Sequence, residues 1–114
     1  MRVKPLELAL KYMEIFYSGK NLERLPDLLA EDLSFTGPFY TFNSAEDYIN
    51  SLKKDPPWGM SYEIIKSFEE ENSACIIYKF QKGNISTAMA QLFEVKYEKI
   101  RKINLIFDTK AFIK

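Results

Sequence analysis

Hydrophobic residues recur at three- and four-residue spacing from Pro5 to Gly19, with Leu6, Ala9, Leu10, Met13 and Phe16 on one face. This pattern predicts an amphipathic helix that Pro5 opens and Gly19 stops. A second, shorter helix is expected through LERLPDLLAED, with Asn21 as its cap, Leu22, Leu25, Leu28 and Leu29 as its apolar stripe, and Pro26 tolerable only near its start. SFTGPFYTF, Ser34 to Phe42, reads as an aromatic-rich strand broken at Gly37-Pro38. Ser44 with Asp47 three residues on forms a capping box for a third helix, AEDYINSLKK, which Asp55-Pro56-Pro57 ends.

After Trp58-Gly59 the period changes to alternation, with β-branched and aromatic enrichment. Four strands follow, MSYEIIKSFE, SACIIYKFQ, ISTAMAQLFEVKY and KIRKINLIFD, with turns at Glu70 to Asn72, Lys82 to Asn84 and near Glu98. Turns this short predict an antiparallel meander. Alternation puts Ile76, Tyr78, Phe80, Met89, Gln91, Phe93, Val95, Ile103, Leu105 and Phe107 on the inner face. Lys79, Gln81, Ala88, Ala90, Leu92, Glu94, Asn104 and Ile106 fall on the outer one. Helices first and a curled sheet after them make an α+β layout, with the helices packed on one face of the sheet.

With 114 residues there is material for one domain, residues 1–114, and for one core. Aromatic residues at 15% supply ample ring volume to fill that core or to line a cavity in it. Sixteen basic and sixteen acidic residues cancel, which removes the electrostatic footprint of a nucleic-acid or anionic-membrane binder. No apolar run approaches the roughly 20 residues of a bilayer span, and the N-terminal stretch carries acids where a signal peptide is apolar, so a cytoplasmic protein is expected. Histidine is absent, which removes serine triads, leaves the lone Cys75 without an activating base and argues against a metal site. Cys75 reads as a small hydrophobe in a strand, and no cofactor is implied.

The order helix, helix, short strand, helix and four long strands resembles the nuclear transport factor 2-like, SnoaL-like superfamily, over essentially the whole chain. KYMEIFYSGKNLERLPDLLAEDLSFTGPF is similar to that family's opening helix, glycine turn and first strand, and KIRKINLIFDTKAF to its last strand with an "FD" ending. The resemblance implies a cone-shaped (cystatin-like) sheet with the three helices on its concave face and a wide end that stays open. It does not imply one activity, since this scaffold serves isomerases, cyclases, hydrolases, dehydratases and binding proteins.

Position by position, the resemblance to ketosteroid isomerases puts an oxyanion donor at Tyr12, seven residues before Gly19. It puts the base at Gly37, before Pro38, and a protonated acid at Gln91, two residues before Phe93. Glycine cannot act as a base, and an amide donates a hydrogen bond without the tunability of a carboxylic acid. The resemblance to epoxide hydrolases puts their aspartate at Leu105, so that chemistry is missing as well. Asp108 reads as a structural cap or a catalyst, and Tyr12 equally as a core ring or a pocket donor.

A pocket is expected between the first helix and the inner sheet face, drawn from Tyr12, Phe16, Phe35, Phe39, Trp58, Tyr78, Phe80, Met89, Gln91 and Phe107. A buried amide left unpaired costs about 1–3 kcal/mol, so Gln91 calls for Tyr12, water or a ligand. The leading reading is a binding domain for a small apolar or aromatic molecule. The alternatives are an isomerase, dehydratase or cyclase without the usual base, and a protein-interaction adaptor. Ala88, Ala90, Leu92 and Ile106 form an outer apolar stripe, which predicts a homodimer that packs sheet on sheet, as the resemblance also implies.

Overall fold

The computed structural model describes residues 4–112, so the ends of the expected domain, residues 1–3 and 113–114, lie outside the described residues. Helix α1 (Pro5–Ser18) starts with proline in its first turn and ends at Gly19, whose φ of 66° is left-handed. The Gly19 amide donates to the carbonyls of Ile15 and Phe16, closing the helix. Its buried face is Pro5, Leu8, Ala9, Tyr12, Met13 and Ile15, rotated from the expected stripe, and Leu10 is left exposed. The reason is Tyr12: its ring meets the Phe93 ring edge-on at 5.5 Å and turns the helix toward the sheet.

The expected second α-helix is instead a 3-10 helix, Leu22–Asp27, and Asn21 makes no side-chain cap bond. Its apolar residues Leu22, Leu25 and Leu28 come every third position and are all buried, which suits three residues per turn. Pro26 lies inside it, where in an α-helix its ring would clash with the carbonyl of Leu22 four residues back. Strand β1 (Leu29–Thr36) therefore begins earlier than SFTGPFYTF suggests, and Gly37 and Pro38 separate it from the two-residue β2 (Thr41–Phe42). Helix α2 (Ala45–Lys54) is capped as expected, with Asp47 N–H donating to Ser44 Oγ at 3.1 Å. It buries Ala45, Tyr48, Ile49 and Leu52.

Strands β3 (Met60–Glu70), β4 (Ser73–Lys82), β5 (Ile85–Lys96) and β6 (Lys99–Phe107) pair antiparallel in sequence order. β1 then joins β6 in parallel, which gives a six-stranded sheet of order β2-β1-β6-β5-β4-β3. Register shifts at Ile64/Lys66, Glu94/Val95 and Leu29/Ser34 interrupt three ladders, and irregularities of this kind bend strands and curve the sheet. On the inner face Ile76, Tyr78, Phe80, Met89, Gln91, Phe93 and Ile103 are buried, while Lys79, Leu92 and Glu94 opposite are exposed. Each large apolar side chain so buried contributes on the order of 1.5–3 kcal/mol. The chain closes with a second 3-10 helix, Thr109–Phe112, whose Lys110 N–H donates to Asp108 Oδ1 at 2.9 Å. Asp108 is thus a turn cap on the exposed side.

A methyl group at Gly19 would lie 2.9 Å from Trp58 Cζ3 as well as in a left-handed backbone. Gly19→Ala is therefore expected to lower unfolding free energy by about 1 kcal/mol or more and to alter the emission of the single tryptophan. Urea denaturation followed by Trp58 fluorescence checks both.

Candidate functional site

Between α1, α2 and the inner face of the sheet lies a cleft of about 730 Å³. Its lower walls are Tyr12, Phe16, Tyr48, Tyr78, Met89 and Gln91, and its upper walls Phe35, Phe39, Phe80 and Phe107, joined by Phe42 and Phe112. Trp58 is the exception among the residues expected there. It is 57% exposed and packs its ring against Gly19 outside the cleft. The physical cause is local: Trp58 N–H donates back to the Pro56 carbonyl at 2.8 Å, a tight turn after Pro56-Pro57 that aims the ring at the end of α1.

A chain of polar side chains forms the floor. Tyr17 Oη donates to Tyr78 Oη at 3.4 Å, and Tyr78 Oη donates to Gln91 Oε1 at 2.9 Å, with Met89 Sδ 3.6 Å away. Gln91, held acceptor-side by Tyr78, has its NH₂ left for Tyr12, with which it also interacts. Tyr12 and Tyr48 share a hydrogen bond between their hydroxyls. No buried side-chain nitrogen or oxygen among the described residues lacks a partner, which is how a glutamine 3% exposed is tolerated. The rings hold these groups in place: Phe35 stacks on Tyr48 at 4.8 Å, and Tyr12 on Phe16 at 5.9 Å.

Burial sets the electrostatics. Desolvation is the first cause of the upward shift of all four tyrosines: Tyr12, Tyr17 and Tyr48 move well up and Tyr78 is pushed up to about 12. The hydrogen bond between Tyr12 and Tyr48 raises Tyr12 further and lowers Tyr48, so Tyr48 is the easier of the two to ionise. The floor is therefore neutral and rich in donors. Carboxylates come close only at the rim, from Asp47 and Asp55 on and after α2, and both are exposed. Gly37 also borders the cleft, where an added Cβ would lie 3.4 Å from Phe35 Cε1 and 3.6 Å from Leu105 Cβ, ordinary contacts.

Tyr17, Tyr48 and Phe112 were not among the residues expected here. Tyr48 has a signal in the sequence, because it falls on the apolar stripe Ala45, Tyr48, Ile49 and Leu52 of a helix that was expected only to pack. Phe112 has none, since it follows the last strand. A second, larger depression of about 970 Å³ lies across α2, bordered by Asp32, Glu46, Lys53, Lys96 and Arg101. Its Asp32 and Arg101 pair with each other at 3.4 Å, and no buried polar group points into it. Among the described residues no group of three or more metal-ligating side chains occurs, and no helix is long and apolar enough to cross a membrane.

No protein-family model matches the chain, and no curated protein is similar to it. Solved structures are similar in fold. A nuclear transport factor 2-like protein of unknown function from Cytophaga hutchinsonii superposes with TM-score 0.84 at 23% identity, covering 100% of this chain and 98% of that one. An LEH-like epoxide hydrolase of M. tuberculosis gives TM-score 0.80 at 12% identity over 94% of this chain and 84% of its own. A ketosteroid isomerase-like protein from Kribbella flavida gives 0.78 at 19% identity, over 90% and 76%. At these identities the likeness establishes the fold, which is nuclear transport factor 2-like and α+β.

The tyrosine shifts set a pH dependence. A folded-state pKa above the unfolded value of 10.0 means the unfolded chain loses these protons first. Stability is full below pH 10 and falls as pH rises through the interval up to about 12, where Tyr78 itself ionises. Alkaline difference absorbance should show the four floor tyrosines ionising together with unfolding, and Tyr78→Phe should remove part of the loss.

Proposed function

We propose, proceeding from the nuclear transport factor 2-like fold, that this protein binds a small neutral molecule with an apolar or aromatic body and one hydrogen-bond acceptor. The observation that carries the reading is the end of the floor chain. Tyr12 and Tyr48 share a single hydrogen bond and the Gln91 amide lies against Tyr12, so one of the two hydroxyl hydrogens has no acceptor in the floor chain, and both residues border the aromatic cleft. A ligand carbonyl or ether oxygen would complete it. With no buried carboxylate and no buried cation beside that hydrogen, a neutral acceptor suits the site better than an ion. In this reading the curved sheet and its helices form a cone whose wide end is the mouth of the cleft. Tyr12, Gln91 and Tyr78 hold Tyr48 in place, and the rings bury the ligand body.

Acid–base catalysis is less well supported. The positions that resemble catalytic carboxylates are Gly37, Gln91 and Leu105, and removal of a positioned acid or base commonly forfeits about 10²- to 10⁴-fold. We place the role in the cytoplasm, in keeping with the unpaired Cys75.

Binding is tested with prodan, a neutral naphthyl ketone whose emission reports its surroundings. A saturable blue shift with micromolar affinity is expected, and one of the two variants Tyr12→Phe and Tyr48→Phe should weaken it about tenfold by loss of one hydrogen bond. No saturable shift, or unchanged affinity in both variants, would contradict the reading.

The second part of the proposal is self-association. On the outer face Ala90 lies between Ile77 and Ile106, and Leu92 beside Cys75, with Phe68 beyond it. Ile106 is 55% exposed and Phe68 49%. A second copy packing sheet on sheet would cover this stripe, with Ala88 and Ala90 allowing close approach. Light scattering is expected to report a dimer at micromolar concentration, and Ala90→Arg a monomer.

A further inference from the structure

Three rings from separate parts of the chain meet at the upper wall of the cleft. Phe39 stands on the loop between β1 and β2, Phe107 ends β6, and Phe112 sits in the closing 3-10 helix. Phe39 contacts Phe107 at 5.4 Å and Phe112 at 5.6 Å, and Phe107 contacts Phe112 at 5.1 Å, all edge to face. Phe112 also reaches Phe80 at 5.8 Å across the cleft wall. Phe39 is 50% exposed, so this cluster is not core.

The ends of the loop are held only by the short β1–β2 pairing, Phe35 with Phe42 and Thr36 with Thr41, and the 3-10 helix lies beyond any ladder. The loop is closed by Gly37 N–H donating to the Tyr40 carbonyl at 2.9 Å, and the helix by the Asp108 cap. Ring contacts supply the rest of their attachment. Leucine at these positions would fill a similar apolar volume, so burial alone does not call for aromatic residues. Ring quadrupoles do something leucine cannot: they favour another ring over an aliphatic body of equal area.

We propose that Phe39 and Phe112 are specificity-determining residues that select ligands with a planar aromatic body over alicyclic ones of similar size. This rests on the binding reading above and adds the ligand class to it. Phe112, close to the C-terminus, is then part of the site, and the closing 3-10 helix serves to place its ring against Phe39.

The test compares two neutral ketones, prodan and adamantanone, by titration calorimetry on the full chain and on Phe39→Leu, Phe112→Leu and the double variant. Leucine keeps apolar area while removing the ring, and the thermal midpoint of each variant verifies folding. The double variant is expected to bind prodan at least about fivefold more weakly, from the loss of ring–ring contacts, and adamantanone within about twofold of the unaltered protein. Equal losses for both ketones, or none for either, would overturn the selection by these rings while leaving the binding reading intact. Failure of the unaltered protein to bind either ketone would overturn both. If the double variant fails to fold, the single variants decide, with a prodan-specific loss in at least one required.

Discussion

Buried polar groups must find partners, and in this protein four of them, together with the half-buried Tyr17, find one another. Tyr17 and Tyr12 come from α1, Tyr78 from β4, Gln91 from β5 and Tyr48 from α2, so one chain of contacts ties both helices to the middle of the sheet. Apolar packing alone would accept small slides of α1 along the strands. A hydroxyl shifted by an ångström loses its partner, and that loss, on the order of 1–3 kcal/mol, penalises the slide. The same arrangement explains why the cleft is not simply filled. The hydroxyls need space to meet, and the rings that carry them stand away from the sheet as walls.

Neutrality follows from the same burial. Desolvation drives every floor tyrosine away from ionisation, and the nearest carboxylates, Asp47 and Asp55, are out at the solvent edge. Gly37, at the border of the cleft, puts no side chain there, and an added Cβ would meet Phe35 and Leu105 at ordinary distances. Among the described residues, the floor of the cleft combines hydroxyl and amide donors with apolar walls.

Most of the sheet was legible because strand alternation is a strict period of two. Tyr78, Met89 and Gln91 could be put on one face, and Ala90 and Leu92 on the other, from spacing alone. The third helix was legible through Ser44 and Asp47, a cap with a defined geometry. Less legible were features set by contacts distant in sequence. The face of α1 depends on where Tyr12 meets Phe93, and the parallel pairing of β1 with β6 leaves no local mark. Leu22, Leu25 and Leu28 satisfy a helix of three residues per turn or, with Leu29, one of 3.6, and Pro26 decides for the former. Trp58 went astray because an aromatic residue after two prolines has no period to follow.

The parallel pairing of β1 with β6 also bears on how the chain reaches this structure. β1 has only the two-residue β2 beside it until β6 exists, and Leu29 meets Ile100 across roughly seventy residues of chain. The meander from β3 to β6 can zip up through short turns, each contact close in sequence. The join to β1 is a long loop closure that gains nothing until it is complete. During synthesis β1 therefore has no strand along its second edge until β6 emerges, although Phe35 already has Tyr48 of α2 to stack on. The final strand to emerge is the one that gives the first strand its place.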